Sequence, residues 1–209
     1  MSALEALQAT TVLLSDEPHE SVDTIFFHAR AWGDDRGLFP LVANLYHIGK
    51  VRNVAINGGN GGPPGSTVVG ENWPGCSRYI TWLKSLDVAR IEPTRQALHT
   101  KEENEAFLDL AIQKQWHSGI IVAKPHQILR AFLGIVASMR DHAYWIRVYA
   151  VAPRNIDWKQ LVFSPHSTAM KPQFERIKDE LDRIPIYQAK GHLCSYNDLF
   201  SYLERRSTI

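Results

Sequence analysis

HTKEENEAFLDLAIQKQWHSGIIVAKPHQILRAFLG, residues His99 to Gly134, sets a capped acidic helix, a short apolar strand and a basic second helix start in one continuous stretch. Gly119, Ile120, Ile121, Val122 and Ala123 form a run too short for a helix and too apolar for a half-exposed strand. A run of that kind suits the buried centre of a parallel sheet. Lys124, Pro125, His126, Gln127 and Arg130 follow at once. Ligands of open α/β sheets bind beyond the carboxyl ends of strands, so polar residues in that position are favoured site candidates.

Working outward, apolar runs alternate with helical patterns, the signature of βα units around a parallel sheet. Strands are predicted at Asp23 to Ala31, Asn53 to Asn57, Val88 to Glu92, Gly119 to Ala123 and Tyr144 to Ala152. Helices are predicted from the spacing of Leu38, Leu41, Val42, Leu45 and Ile48, from Tyr79 to Leu86, from Thr100, and from His126 to Met139. Thr100 and Glu103 match a capping box, in which hydroxyl and carboxylate satisfy each other's unpaired backbone donors. The expected architecture is a three-layer, Rossmann-like α/β fold with a mostly parallel sheet of about five strands. Residues 1–153 make the α/β domain, and residues 154–209 a C-terminal helical segment packed on it. In that segment Phe174, Ile177, Leu181 and Ile184 form one packing stripe, and Leu199, Phe200, Tyr202 and Leu203 form another after a cap at Ser195.

Bulk composition narrows the function classes. The 209 residues carry 23 Lys and Arg against 22 Asp and Glu, a formal charge of +1. No general field for nucleic acid or anionic membrane follows, so neither is an expected partner and anion binding must be local. Cys76 and Cys194 show no paired spacing, which indicates no zinc knuckle and no redox pair. The expected metal set is empty. No segment approaches the roughly 18 to 20 apolar residues of a membrane span, and no signal-like start is present. A cytoplasmic location is expected, with oligomeric state open.

Candidate chemistry gathers at the predicted strand ends. Gly58, Gly59, Asn60 and Gly61 follow the second strand, where a loop without Cβ atoms can bring N–H groups close to phosphate or carboxylate, or simply turn. Arg30 follows the first strand in RAWGDDRG with Asp34, Asp35 and Arg36, and a guanidinium there can grip an oxyanion with two bonds. Thr100 and Glu102 open the third helix. Lys124, Gln127 and Arg130 combine positive charge with a helix N-terminus, which attracts anions. His126 is the candidate catalytic group, because an unperturbed imidazole titrates at about 6.5. Trp32 and Trp73 sit in loops where an aromatic face could stack on a planar ligand.

The order of these features resembles the YdcF/SanA/ElyC-like family. The resemblance rests on the strand at Asp23 to Ala31, the helix ending LYHIGK, the strand-loop VAINGGNGG, WLKSLDV, the threonine-acidic start TKEEN, and IIVAKPHQILRA. The family's His-x-x-Arg-Ala helix start is matched at Arg130 and Ala131. Gln127 stands where the family has histidine, with His126 one residue earlier. The resemblance implies a Rossmann-like binding fold and, for one branch, S-adenosylmethionine as ligand, with a nucleotide or phosphorylated metabolite next. An enzyme acting on such a small molecule is the expected function. A non-catalytic ligand sensor and a hydrolase of phosphorylated or activated small molecules are the alternatives.

Overall fold

A computed structural model describes residues 3–34, 37–164 and 167–209. Five strands, β1 (Val22–Phe27), β2 (Val51–Ile56), β3 (Ile91–Pro93), β4 (Ser118–Val122) and β5 (Arg147–Val151), pair in the order β3-β2-β1-β4-β5. All four pairings are parallel. The parallel arrangement follows from the helices between the strands, since only a long crossover returns the chain to the same end of the sheet. These are α2 (Leu38–His47), α3 (Cys76–Ser85), α4 (Thr100–Lys114) and α5 (Ile128–Asp141). The chain is thus α/β and Rossmann-like, as its sequence implies.

Period-two alternation decides which layer each strand residue joins. Ile25, Phe27, Val54, Ile56, Ile120 and Val122 pack with Leu38 and Val42 of α2 and Tyr79 and Leu83 of α3. Their neighbours Phe26, Ala55 and Ile121 point the other way, to Phe107 of α4 and Phe132 of α5. Phe26 and Phe107 stack with centroids 4.7 Å apart. The chain builds outward from β1 on one side, then crosses through α4 to begin β4 on the other. β1 and β4 therefore flank the point where strand order reverses, the usual ligand crevice of such sheets.

Two elements had no clear sequence signal. Helix α1 (Ala3–Leu14) packs Ala6, Ala9 and Leu13 onto the α5 layer, while Leu4 and Leu7 stay exposed. A second, antiparallel pair, β6 (Leu161–Ser164) and β7 (Ser167–Pro172), occupies the stretch that lacks any apolar period. Two further helices, α6 (Arg176–Ala189) and α7 (Tyr196–Arg205), complete the C-terminal part. The cap expected at Ser195 is formed as a full box with Asp198. The α7 stripe packs as expected: Leu199 and Tyr202 are buried, and Tyr202 bonds the backbone of Ile146 and Val148. The first stripe is corrected in its first half: Phe174 and Ile177 lie exposed, while Leu181 packs partly buried against the core and Ile184 is buried in it. No helix among the described residues is long and apolar enough to cross a membrane.

Candidate functional site

The sheet's carboxyl edge opens into a cavity of about 360 Å³. Ala29 and Arg30 after β1, Asn57 after β2, Ala97 and Leu98 after β3, and the first turn of α4 form its floor. Arg130 and Gly134 of α5 form one wall, and Arg183, Tyr187, Lys190 and His192 of the C-terminal part another. A volume of this size lies within the usual range for small-molecule sites, about 300–1,000 Å³.

The start of α4 departs from the expected capping box. His99, not Thr100, is the N-cap: its Nδ1 accepts the Glu102 N–H at 3.3 Å, and Glu102 Oε2 accepts the Leu98 N–H at 2.8 Å. Glu102, a ligand candidate by sequence, thus serves as part of the cap. Thr100 lines the cavity and accepts from Arg130 Nη1 at 3.3 Å. Glu103, freed from the box, reaches under the sheet edge instead. Its Oε1 accepts from the Ala29 N–H at 2.7 Å and from Asn57 Nδ2 at 3.0 Å, fastening α4 to the ends of β1 and β2. The residue is 4% exposed. Burial disfavours its ionised form by more than these two bonds and the nearby arginines favour it, so its pKa is pushed up to about 7.

Asn104 follows as a second cavity residue that sequence reading missed. It has 0% exposure, and its Oδ1 lies 2.7 Å from His28 Nε2. Burial lowers His28 to about 3, so the ring is neutral and donates to that oxygen. Asn104 Nδ2 has no hydrogen-bond partner among the described residues. It faces Gly134, where an added Cβ would stand 2.7 Å from the nitrogen. Gly134 interrupts α5 at some cost in helix propensity, and the space it leaves is what the amide occupies.

The expected arginines come to the cavity, but each already holds a carboxylate. Arg30 grips Asp34 through Nε, at 3.1 Å, and through Nη2. Arg130 pairs through Nε with Glu180 of α6, which also takes Arg183 at 3.1 Å. Although burial opposes ionisation of Glu180, Arg130 outweighs it and holds the acid down to about 2. Both guanidiniums therefore act on the cavity mainly through their field. Lys101 and Lys190 add positive charge at the cavity wall, and Glu103 is the sole carboxyl group among its described lining residues. Tyr187, His192 and His99 form a run of nearly parallel rings, with centroids 5.8 and 6.4 Å apart, across the gap between the C-terminal part and α4. Trp73 lines the cavity as well, its Nε1 bonded to Gly70.

Other sequence candidates lie elsewhere. Gly58 to Gly61 do not line the cavity. Their missing side chains permit close chain packing: a Cβ at Gly58 would fall 2.0 Å from Thr94 O, and one at Gly61 2.3 Å from Trp73 O. Asn60 sits in the same turn, its carbonyl against Gly75. Lys124 is buried and bound to Asp34 and Gln173, each at 3.1 Å. Gln127 lines a separate pocket of about 10 Å³ between the ends of β1 and β4, room for about one water. His126 lines neither space. It is buried edge-on to Trp158, neither ring nitrogen has a hydrogen-bond partner among the described residues, and burial lowers its pKa to about 4 against the pull of Asp34. Trp32 bonds Gly62 O and lies under Arg78. Asp35 and Arg36 fall outside the described residues. Cys76 and Cys194 are both free and buried. Among the described residues no three His, Cys, Asp or Glu side chains gather as a metal site.

No protein-family model and no curated protein matches the chain.

Proposed function

We propose that this protein is a small-molecule enzyme of YdcF-like type that binds its ligand at the carboxyl edge of the sheet. The leading ligand is S-adenosylmethionine, followed by a nucleotide or phosphorylated metabolite. The observation that carries the reading is the cavity beside the strand-order reversal, with five cationic side chains and one protonatable carboxyl among its described lining residues. The residues suit such a ligand. Cationic surroundings attract a carboxylate or phosphate, and the rings of Tyr187, His192, His99 and Trp73 offer faces to an adenine. Bound there, S-adenosylmethionine would supply an activated methyl group. The chain's own residues would hold the ligand and exclude water. Glu103, with a pKa near neutrality, has the property required of a general acid or base. It takes the role that sequence reading gave to His126.

A thermal-shift panel of S-adenosylmethionine, S-adenosylhomocysteine, nucleotides and sugar phosphates tests the binding. A ligand present at 100 times its Kd stabilises the folded state by about 2.7 kcal/mol. Stabilisation by one class, lost when Lys190→Glu and Lys101→Glu are combined, is the expected result. Indifference to every class removes the reading. Mass spectrometry of a stabilising ligand after incubation with candidate acceptors separates the enzyme from a sensor, because a sensor returns it unchanged.

A further inference from the structure

The floor of the cavity holds two polar groups that the fold does not use up. Among the described residues, Glu103 spends Oε1 on two donors and leaves Oε2 without one. The neighbouring residue on α4, Asn104, leaves Nδ2 without an acceptor, and both residues line the cavity. Unpaired buried polar atoms are costly, so an amide N–H kept unpaired at a cavity wall points to a guest that accepts from it.

We propose that Glu103 Oε2 and Asn104 Nδ2 are an oxyanion-binding pair, and that a phosphoryl or carboxylate group seats on them together with one proton. This rests on the ligand site proposed above and names the chemistry it recognises. The proton is required by geometry. A ligand oxyanion cannot sit within hydrogen-bond distance of an ionised carboxylate without a hydrogen between the two oxygens. Glu103 supplies it by remaining a carboxylic acid, O–H donating to the ligand, while Asn104 donates alongside.

The groups around Glu103 favour that arrangement. Arg30 from the end of β1 and Arg130 from α5 face it, each neutralised in part by its own acid, Asp34 or Glu180. His28 of the β1 end is neutral, and Asn57 of the β2 end donates to Glu103 Oε1 and to the Ala97 carbonyl. The remaining positive field attracts an anion, and the paired acids keep the arginines from holding Glu103 ionised. A ligand ammonium or sulfonium would find the opposite, a cationic neighbourhood and a neutral acid. The anionic end of the ligand is therefore the one that reaches this floor.

Calorimetric titration of the full chain tests this, with sulfate and AMP as phosphoryl-like probes and S-adenosylhomocysteine as the carboxylate probe. Sulfate has no proton to exchange near neutral pH. Running each titration in two buffers of different ionisation enthalpy counts the protons taken up. At pH 8 the expected result is uptake approaching one proton per anion bound, with affinity falling by up to about tenfold per pH unit above 7. Glu103→Gln keeps a donor at the same place and should bind sulfate with little pH dependence and no proton uptake. Asn104→Ala should weaken binding at least about tenfold while leaving the proton count unchanged. Whether sulfate and AMP or S-adenosylhomocysteine shows the effect identifies the phosphoryl or the carboxylate source. Binding without proton uptake in the unaltered protein overturns the pair yet leaves the ligand site standing, and needs no variant to fold. If no probe binds at any pH, the ligand site itself falls, and the pair with it.

Discussion

Two buried polar clusters share the carboxyl edge of the sheet, and they treat charge in opposite ways. Under the β6–β7 hairpin, Asp34 holds Arg30 and Lys124, Lys124 holds Gln173, and Gln173 holds Gln160, whose amide donates to Gly33 O. Burial works against ionisation of Asp34, but Arg30 and Lys124 prevail and hold its carboxyl below the ordinary range. At the cavity floor, Glu103 lies near the same Arg30, yet burial pushes its pKa up to about 7, because its direct partners among the described residues are two neutral donors rather than cations. Two acids near one arginine thus diverge through partner geometry alone. Saturated charge closes a structure; unsaturated polarity leaves it receptive.

Exchanging one oxygen for nitrogen in each acid is the sharpest way to break the contrast. Asp34→Asn leaves Arg30 and Lys124 buried without their counter-charge and should cost about 3–5 kcal/mol in denaturant unfolding at pH 7. Glu103→Gln should do the reverse. The folded pKa is raised, so the folded state binds more protons than the unfolded between about pH 4.5 and 7, and stability falls as pH climbs through that window. The variant escapes this loss. It should gain up to about 3 kcal/mol over the unaltered protein at pH 8 and almost nothing at pH 4. Equal destabilisation of both variants would abolish the distinction between the clusters.

His126 gives a smaller effect of opposite pH sense. Its folded pKa is depressed, so the unfolded chain takes the proton first as pH drops below about 6.5, and stability declines from there towards pH 4. His126→Leu should be about 1–3 kcal/mol more stable than the unaltered protein at pH 5, with ligand binding unchanged. Reduced ligand affinity in that variant would tie the closed cluster to the cavity. The least change is expected for His99→Ala, which removes an exposed cap and should cost about 0.5–1 kcal/mol in thermal unfolding.

Legibility from sequence followed the range of the responsible interactions. Strands β1 and β4 were readable because Ile25 to Phe27 and Ile120 to Val122 are buried on both faces, and burial writes itself as a continuous apolar run; β5, buried only at alternate residues, was marked instead by its β-branched and aromatic residues before Pro153. The strand-end position of the site followed from that layout. Arg30, Thr100 and Arg130 were accordingly placed at the cavity. Glu103 and Asn104 were hidden by a local pattern: Thr100 and Glu103 have the spacing of a capping box, while the winning partners of Glu103 stand at positions 29 and 57. The isolated Gly134 inside an apolar helix was the available clue, since an unfavoured helix residue asks what occupies its space. Likewise β6 and β7 pair with each other in a two-stranded sheet apart from the main one, and of Leu161 to Phe163 Val162 alone is buried, so no long apolar run marks them.

The chamber's second wall comes from α6 and the turn after it, some fifty residues beyond Arg130. During synthesis the parallel sheet can assemble while that wall is still being made. Glu180 and Cys194, which clasp Arg130 and the backbone of Leu133, are the contacts that finish the room. These late contacts set the chamber's final dimensions, which the sheet edge alone does not define.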